Sequence, residues 1–312
     1  MTEQIIFSND GNLDDLICLG VLLSAHKKGK ICLKAVILTP ADSFLEPALY
    51  ATRKILDIMN VSGIELGICK SGGVNPFPDE WRAFPYPVCH FPNILRDGDP
   101  RYPVSNNSGE EIILQLLNSD NNFTIVETGP LTCIANSLIS INENQKRKIN
   151  KIIWMGGAID VAGSIETFTK HDGTAEWNSY WDPKSTKIVF DSGVSIIMCP
   201  LDTTNNVPIT TDFLTKLSVN TNQSMLGDLV VHIYAIICRA FGIQNYYAWD
   251  ILTVSYLLNS SIFTLTDAKI SIIENGQSQG RTIRDEENGN NVKYLSSVNV
   301  QMWEKTLYEY LQ

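Results

Sequence analysis

The feature that most constrains this chain is a repeating alternation. Short apolar runs rich in β-branched residues are each closed by a polar, turn-forming loop, and segments of helical spacing lie between them. Ile5–Phe7 leads into Asp10-Gly11-Asn12, and Ala35–Leu38 leads into Thr39-Pro40-Ala41-Asp42. Ile64–Cys69 leads into Ser71-Gly72-Gly73, Phe123–Val126 into Thr128-Gly129-Pro130, Ile152–Met155 into Gly156-Gly157, and Val194–Cys199 into Asp202-Thr203-Thr204. Runs of this length with little alternation suit strands buried on both faces. The intervening helical spacing predicts helices over Leu13–His26, Leu45–Met59, Glu110–Leu117, Leu131–Ile139, Pro183–Phe190 and Leu226–Phe241. Asp182 followed by Pro183 is a helix-start signature. The expected architecture is α/β: a single domain spanning 1–312, with a mostly parallel, mixed central sheet covered by helices on both faces. Ligands of such sheets bind at the carboxyl ends of strands, so the polar loops converge on one rim. Asn75 to Pro103, rich in Pro and aromatic residues, reads as a long irregular excursion of the functional kind.

Charge limits the partners. With 24 Lys plus Arg against 34 Asp plus Glu, the net charge is −10. Nucleic acid and anionic membranes call for a basic surface, so neither is expected, whereas a neutral small molecule or a cation fits. No apolar run approaches the ~20 residues of a membrane-spanning helix, and no basic leader precedes Ile5. Seven scattered cysteines form no CxxC pair, which fits buried free thiols in a reducing cytoplasm.

The strongest local signal is Asn9-Asp10-Gly11-Asn12-Leu13-Asp14-Asp15, three carboxylates and two amides at a strand-to-helix junction. Helix capping accounts for one or two of them. Packing all of them together is costly unless a cation neutralises the charge, and oxygen-only ligands favour calcium or magnesium. An EF-hand starting at Asp10 fails, because its sixth and twelfth positions hold Asp15 and Val21. A nucleophilic aspartate two residues before Asp10 is absent, since Ser8 stands there. There is no P-loop and no HExxH, and with only four histidines a zinc site is not expected.

Asp10-Gly11-Asn12-Leu13-Asp14-Asp15 resembles the N-terminal signature of the nucleoside hydrolases, calcium-dependent N-ribohydrolases with a Rossmann-like fold. Thr128-Gly129-Pro130-Leu131-Thr132, Met155-Gly156-Gly157-Ala158, Ala175-Glu176-Trp177-Asn178 with Trp181-Asp182-Pro183, and Trp249-Asp250 are similar to the family's later motifs, in order. The resemblance runs from Ile5 to about Tyr256. Many members carry a His before the last Asp as acid to the departing base. Here Trp249 occupies that position, which, with Asn12 and Val74–Trp81, resembles the purine-specific subgroup that prefers inosine, adenosine and guanosine.

The resemblance implies a Ca2+ ion held by Asp10, Asp15, the Thr128 carbonyl and Asp250. Asp10 would serve as general base on the attacking water. Asn12, Asp14, Glu176 and Asn178 would bind ribose hydroxyls. Trp81 and Trp249 would sandwich a purine, raising its basicity and easing its departure. Asp42 is assigned either to the base or to capping the helix at Leu45, and Tyr246 closes over the site. Ser164 stands where the family usually has Asn on the ribose 5′ side, and Ser8 stands where it usually has Asp. The resemblance also implies a homodimer. Competing readings are an N-ribohydrolase of broader base range (pyrimidine ribosides or nicotinamide riboside) and a non-catalytic nucleoside- or calcium-binding module. Retention of Asp10, Asp14, Asp15, Glu176, Asn178 and Asp250 argues against the latter.

Overall fold

The computed structural model describes residues 2–95, 98–165, 170–241 and 246–312. Six strands form a parallel array: β1 (Glu3–Asn9), β2 (Ile31–Leu38), β3 (Glu65–Ile68), β4 (Phe123–Glu127), β5 (Ile149–Met155) and β6 (Ile196–Cys199). Three more, β7 (Phe263–Ile272), β8 (Thr282–Arg284) and β9 (Asn290–Val298), complete a nine-stranded sheet ordered β3-β2-β1-β4-β5-β6-β9-β7-β8. β9 runs parallel to β6, while β7 is antiparallel to both β8 and β9. The sheet is therefore mostly parallel and mixed, as the alternation of apolar runs and helices implies.

Both faces of the sheet are covered. Along β1, Ile5 and Phe7 point into one core and Ile6 into the other, and all three are fully buried. That is why the strand reads as a continuous apolar run. The first core is closed by helices Leu13–Lys27, Met225–Phe241, Trp249–Leu258 and Val300–Leu311. The second is closed by Gly109–Leu117, Thr132–Ser140 and Pro183–Asp191. Pro183 opens its helix with the Asp182 carboxylate accepting from Ser185 N at 3.1 Å, the expected start.

Two expectations need revision. The excursion after β3 is not wholly irregular: Asp79–Arg82, Pro85–Val88 and Pro92–Leu95 are short helical turns, while its residues 96–97 lie outside the described ones. Successive prolines set φ for a turn but remove the donors a longer helix needs. The C-terminal hairpin and helix, for which no element was expected, extend the sheet beyond β6. β7 has one face open, with exposed Leu265 and Asp267 along it, so it lacks the doubly buried signature of the earlier strands.

Candidate active site

Because β1 to β6 are parallel, the loops at their carboxyl ends share one rim. A cavity of about 460 Å³ opens there. Asp10 and Asn12 enter it from β1, Asp42 from β2, Phe77, Trp81 and Phe84 from β3, and Thr128 from β4. Met155, Ser164, Glu176, Trp177 and Asn178 come from the β5 side and Leu201 from β6. Tyr246, Trp249 and Asp250 come from the start of helix Trp249–Leu258. Every residue expected in the site lines this cavity except Asp15, which lies just beneath it and is 1% exposed.

The floor is built by the turn after β1. Gly11 has φ +79°, and a Cβ there would sit 2.5 Å from Leu38 Cδ1 and 2.7 Å from Ala48 Cβ. Only glycine lets the chain turn this tightly against β2 and the next helix. The turn ends in a capping box: Asn12 Oδ1 accepts from Leu13 N at 2.7 Å, and Asp15 Oδ2 accepts from Asn12 N at 2.9 Å. Capping thus accounts for Asn12 and Asp15, and each has a second task. Asn12 Nδ2 donates to the carbonyl and the carboxylate of Asp42, at 2.7 and 2.8 Å. Thr128 Oγ1 donates to Asp15 Oδ1 at 2.5 Å, tying β4 to the first helix. Asp42 is not the cap of the following helix. Phe44 occupies the N-cap position without a side-chain bond, and the Asp42 carboxylate is turned toward Asn12 instead.

Carboxylate oxygens of Asp14, Asp15 and Asp250 lie within 4.8 Å of one another. Asp10 lines the same cavity, beside Asp14 and Asp250. Burial, reinforced by Asp15, pushes Asp10 well above the usual carboxylate range and Asp14 up to about 6. Burial followed by repulsion from Asp14 and Asp15 raises Asp250 in the same way. Tyr246 donates its hydroxyl to Asp14, which pulls that carboxyl part of the way back. None of the ion pairs among the described residues involves these groups. A buried, mutually repelling, all-oxygen cluster of this kind fits a hard divalent cation. Asp10, Asp15, Asp250 and the Thr128 carbonyl could hold it, with Asp14 close enough to share in the coordination.

Glu176 and Asn178 stand at the start of the turn Trp177–Trp181. Glu176 caps it, accepting from Asn178 N at 2.8 Å and Ser179 N at 3.2 Å, and also from Gly157 N at 2.9 Å. Asn178 Nδ2 donates to the Thr128 carbonyl at 3.1 Å and the Met155 carbonyl at 3.2 Å. Asn178 therefore orients a candidate metal ligand. Ser164 sits on the wall, held by its backbone N–H to the Ala175 carbonyl at 2.9 Å.

The upper walls are aromatic. Trp81 meets Trp177 edge-on with centroids 5.1 Å apart, and Phe77 stacks on Trp177 at 5.1 Å and 24°. Trp249 packs edge-on against Tyr246 at 4.6 Å. The segment before it is held by Ile209 N to the Tyr246 carbonyl and Ala248 N to the Val207 carbonyl, both 2.9 Å. Sequence reasoning missed Phe84, Leu201, Trp177 and the supporting Glu127. Trp177 lies inside a recognised motif, yet its partner Phe77 is far away in the chain, and no local pattern marks the contact. Ser8, standing where the family usually has Asp, is fully buried at the end of β1. Its cross-strand partner is Glu127, a fully buried carboxyl that burial pushes up to about 8 and that accepts from Gly129 N at 3.0 Å.

With this geometry in hand, the chain's relatives define its class. Residues 5–305 match the family described as inosine-uridine preferring nucleoside hydrolase, and the chain belongs to that family. The match continues well past Tyr256, so the C-terminal hairpin is part of the family's domain and the motif-based extent was too short. The chain is 34% identical over 288 residues to the non-specific ribonucleoside hydrolase RihC of Salmonella paratyphi B, covering 90% of this chain and 87% of that protein. It is 28% identical over 285 residues to the pyrimidine-specific ribonucleoside hydrolase RihA of a Shewanella species (strain MR-7), covering 87% and 83%. The crystal structure of the inosine-uridine preferring nucleoside hydrolase from Bacillus anthracis superposes with a TM-score of 0.91 at 31% identity, covering 99% of both chains. The protein is an enzyme that hydrolyses ribonucleosides.

Proposed function

We propose that this hydrolase prefers purine ribonucleosides (inosine, guanosine, adenosine) and works with Ca2+ in the carboxylate cluster. The observation that carries the purine reading is the aromatic wall. Trp81, buttressed by Trp177 and Phe77, and Trp249, buttressed by Tyr246, line one cavity above the acidic floor. Flat bicyclic bases gain most from such surfaces. The calcium reading is supported by the oxygen-only donor set of Asp10, Asp15, Asp250 and the Thr128 carbonyl.

Held by Asp10, Asp15, Asp250 and the Thr128 carbonyl, calcium would supply Lewis acidity to the site. Asp10 would take the proton from the attacking water as general base. Asn12, Asp14, Glu176 and Asn178 grip the ribose hydroxyls, directing binding energy to the oxocarbenium-like transition state. Ser164 faces the 5′ side. Asp42, held by Asn12 on the cavity wall, is assigned to the base; that bond and its place in the lining support the reading. No histidine precedes Asp250, so the departing purine relies on stacking between Trp81 and Trp249 to raise its basicity, with solvent delivering the proton. A cytoplasmic homodimer is the proposed assembly, which light scattering on the purified protein tests.

A second reading has its own support: the RihC relative is non-specific and the RihA relative pyrimidine-specific. The two readings separate in one experiment. Ribose release is measured from inosine, guanosine, adenosine, uridine and cytidine, with calcium or with a chelator. The proposal expects kcat/KM for inosine at least about ten-fold above uridine, activity lost in chelator, and kcat lowered by about 10²–10⁴ in Asp10→Ala. Equal rates on inosine and uridine establish the broad reading. Chelator-resistant activity overturns the calcium role.

A further inference from the structure

A second cluster of ligating side chains lies outside the catalytic cavity, at the root of the segment that carries Phe77 and Trp81. Cys69 follows β3, Glu110 is the second residue of helix Gly109–Leu117, and Cys133 is the second residue of helix Thr132–Ser140. Their two sulfurs and a carboxylate oxygen lie within 4.8 Å of one another. None of the three lines the catalytic cavity. We infer that Cys69, Cys133 and Glu110 form a binding site for a borderline-soft divalent cation of the zinc type, with water as fourth ligand.

The geometry is close to what the ion requires. Zn–S bonds of ~2.3 Å and Zn–O bonds of ~2.0 Å at tetrahedral angles put sulfur and oxygen about 3.5 Å apart. Cys69 Sγ lies 3.3 Å from Glu110 Oε1. Cys133 Sγ lies within 4.8 Å of both the Cys69 sulfur and a Glu110 carboxylate oxygen, so a small shift brings the third ligand to the ion. The ligands are also fixed. Glu110 accepts from Lys70 N at 3.2 Å and from Ser71 Oγ at 3.3 Å, and Cys69 N donates to the Leu38 carbonyl at 2.9 Å. Gly109 is required beside them, because a Cβ there would lie 2.4 Å from Ile37 Cγ2 and 3.0 Å from Cys133 Sγ. Cys133 is fully buried and Cys69 nearly so, while Glu110 is only partly buried and marks the entry side. Two thiolates distinguish this set from the all-oxygen cluster at Asp10, which suits a hard ion. Loading displaces the thiol protons, and the bound ion then joins β3 to two helices of the second core.

The test uses the full-length, reduced protein with its carboxylate cluster saturated by calcium. Cobalt(II) is titrated as a spectroscopic probe, followed by zinc competition. The expected result is one equivalent of cobalt with a thiolate-to-cobalt charge-transfer band, removed by zinc. Cys69→Ser and Cys133→Ser should each abolish the band and weaken binding by about 100-fold or more, with ribose release in calcium within about two-fold of the parent. In the unaltered protein, zinc should shield two of the seven thiols from a disulfide reagent, read by mass spectrometry at Cys69 and Cys133. This second measurement holds even if a variant folds poorly. Absence of the band at millimolar cobalt, a band that survives both substitutions, or thiols at Cys69 and Cys133 that react equally with and without zinc would each overturn the site.

Discussion

The substitution Asp250→Asn separates the two things a buried acidic cluster does, and it predicts a reversal. Oxygens of Asp14, Asp15 and Asp250 lie within 4.8 Å of one another. Two unit charges at that spacing repel by about 3.5 kcal/mol at an effective dielectric of ~20. Taking up a proton at pH 7.5 instead costs about 5 kcal/mol for a carboxyl of ordinary pKa ~3.8. Without an ion the cluster must bear one cost or the other. The amide that replaces the Asp250 carboxyl keeps its shape, can still hydrogen-bond Asp14, and carries no charge, so the ion-free variant should gain about 2–3 kcal/mol. Unfolding entropy of ~2.1 cal/mol/K per residue over 312 residues converts that to about 3–5 °C in melting temperature. With calcium in the cluster as proposed, a concentration a thousand times its Kd should stabilise the parent by about 4 kcal/mol, or about 6 °C, and the variant by far less, because a ligand is gone. Thermal melts in chelator and in calcium should therefore rank the two proteins in opposite orders. A variant that melts below the parent in chelator, or that keeps the full calcium shift, refutes the reasoning.

Three further outcomes follow from the same geometry. Trp81→Ala and Trp249→Ala should each lower kcat/KM for inosine by about 10–100-fold, the value of one stacked base, while uridine falls less; steady-state ribose release reads both. The acids give a pH dependence with a definite sign. Asp10, Asp42 and Asp250 are pushed well up, Asp14 to about 6 and Glu127 to about 8, burial being the first cause in each. A carboxyl raised in the folded state contributes fully below its ordinary value and loses that contribution as pH climbs through the folded value. Calcium-free melting temperature should therefore fall from about pH 4 to about pH 8, and saturating calcium should remove or reverse the fall. Ser164 reaches less far than an Asn, so inosine and 5′-deoxyinosine should differ by less than about ten-fold in kcat/KM, and Ser164→Asn should widen the gap.

Much of this was legible because burial leaves a mark on sequence. β1 to β6 lie between two helical layers, so Ile5, Ile6 and Phe7 all had to be apolar and the run stood out. The β7–β9 strands did not stand out, because one face meets water and accommodates Asp267 and Lys293. Asp10, Asn12 and Asp250 were readable as motif members. The second role of Asn12, holding Asp42, depends on two loops meeting and appears only in space. The same holds for Glu127. Its own stretch reads as an ordinary strand end, and the acid becomes meaningful only beside Ser8 on the neighbouring strand.

The acidic floor joins the first strand's loop to a helix that begins at Trp249, and this has a consequence for biosynthesis. At about 5–20 residues per second, roughly 12–48 s separate the emergence of Asp10 from that of Asp250. Throughout that interval the nascent chain carries Asp10, Asp14 and Asp15 without the last carboxylate, and without the wall that Tyr246 and Trp249 supply. Nucleoside cleavage and full calcium affinity should arise together and late, once helix Trp249–Leu258 has docked against the first core. Activity in this enzyme is therefore a direct report that nearly the whole chain has been made and closed.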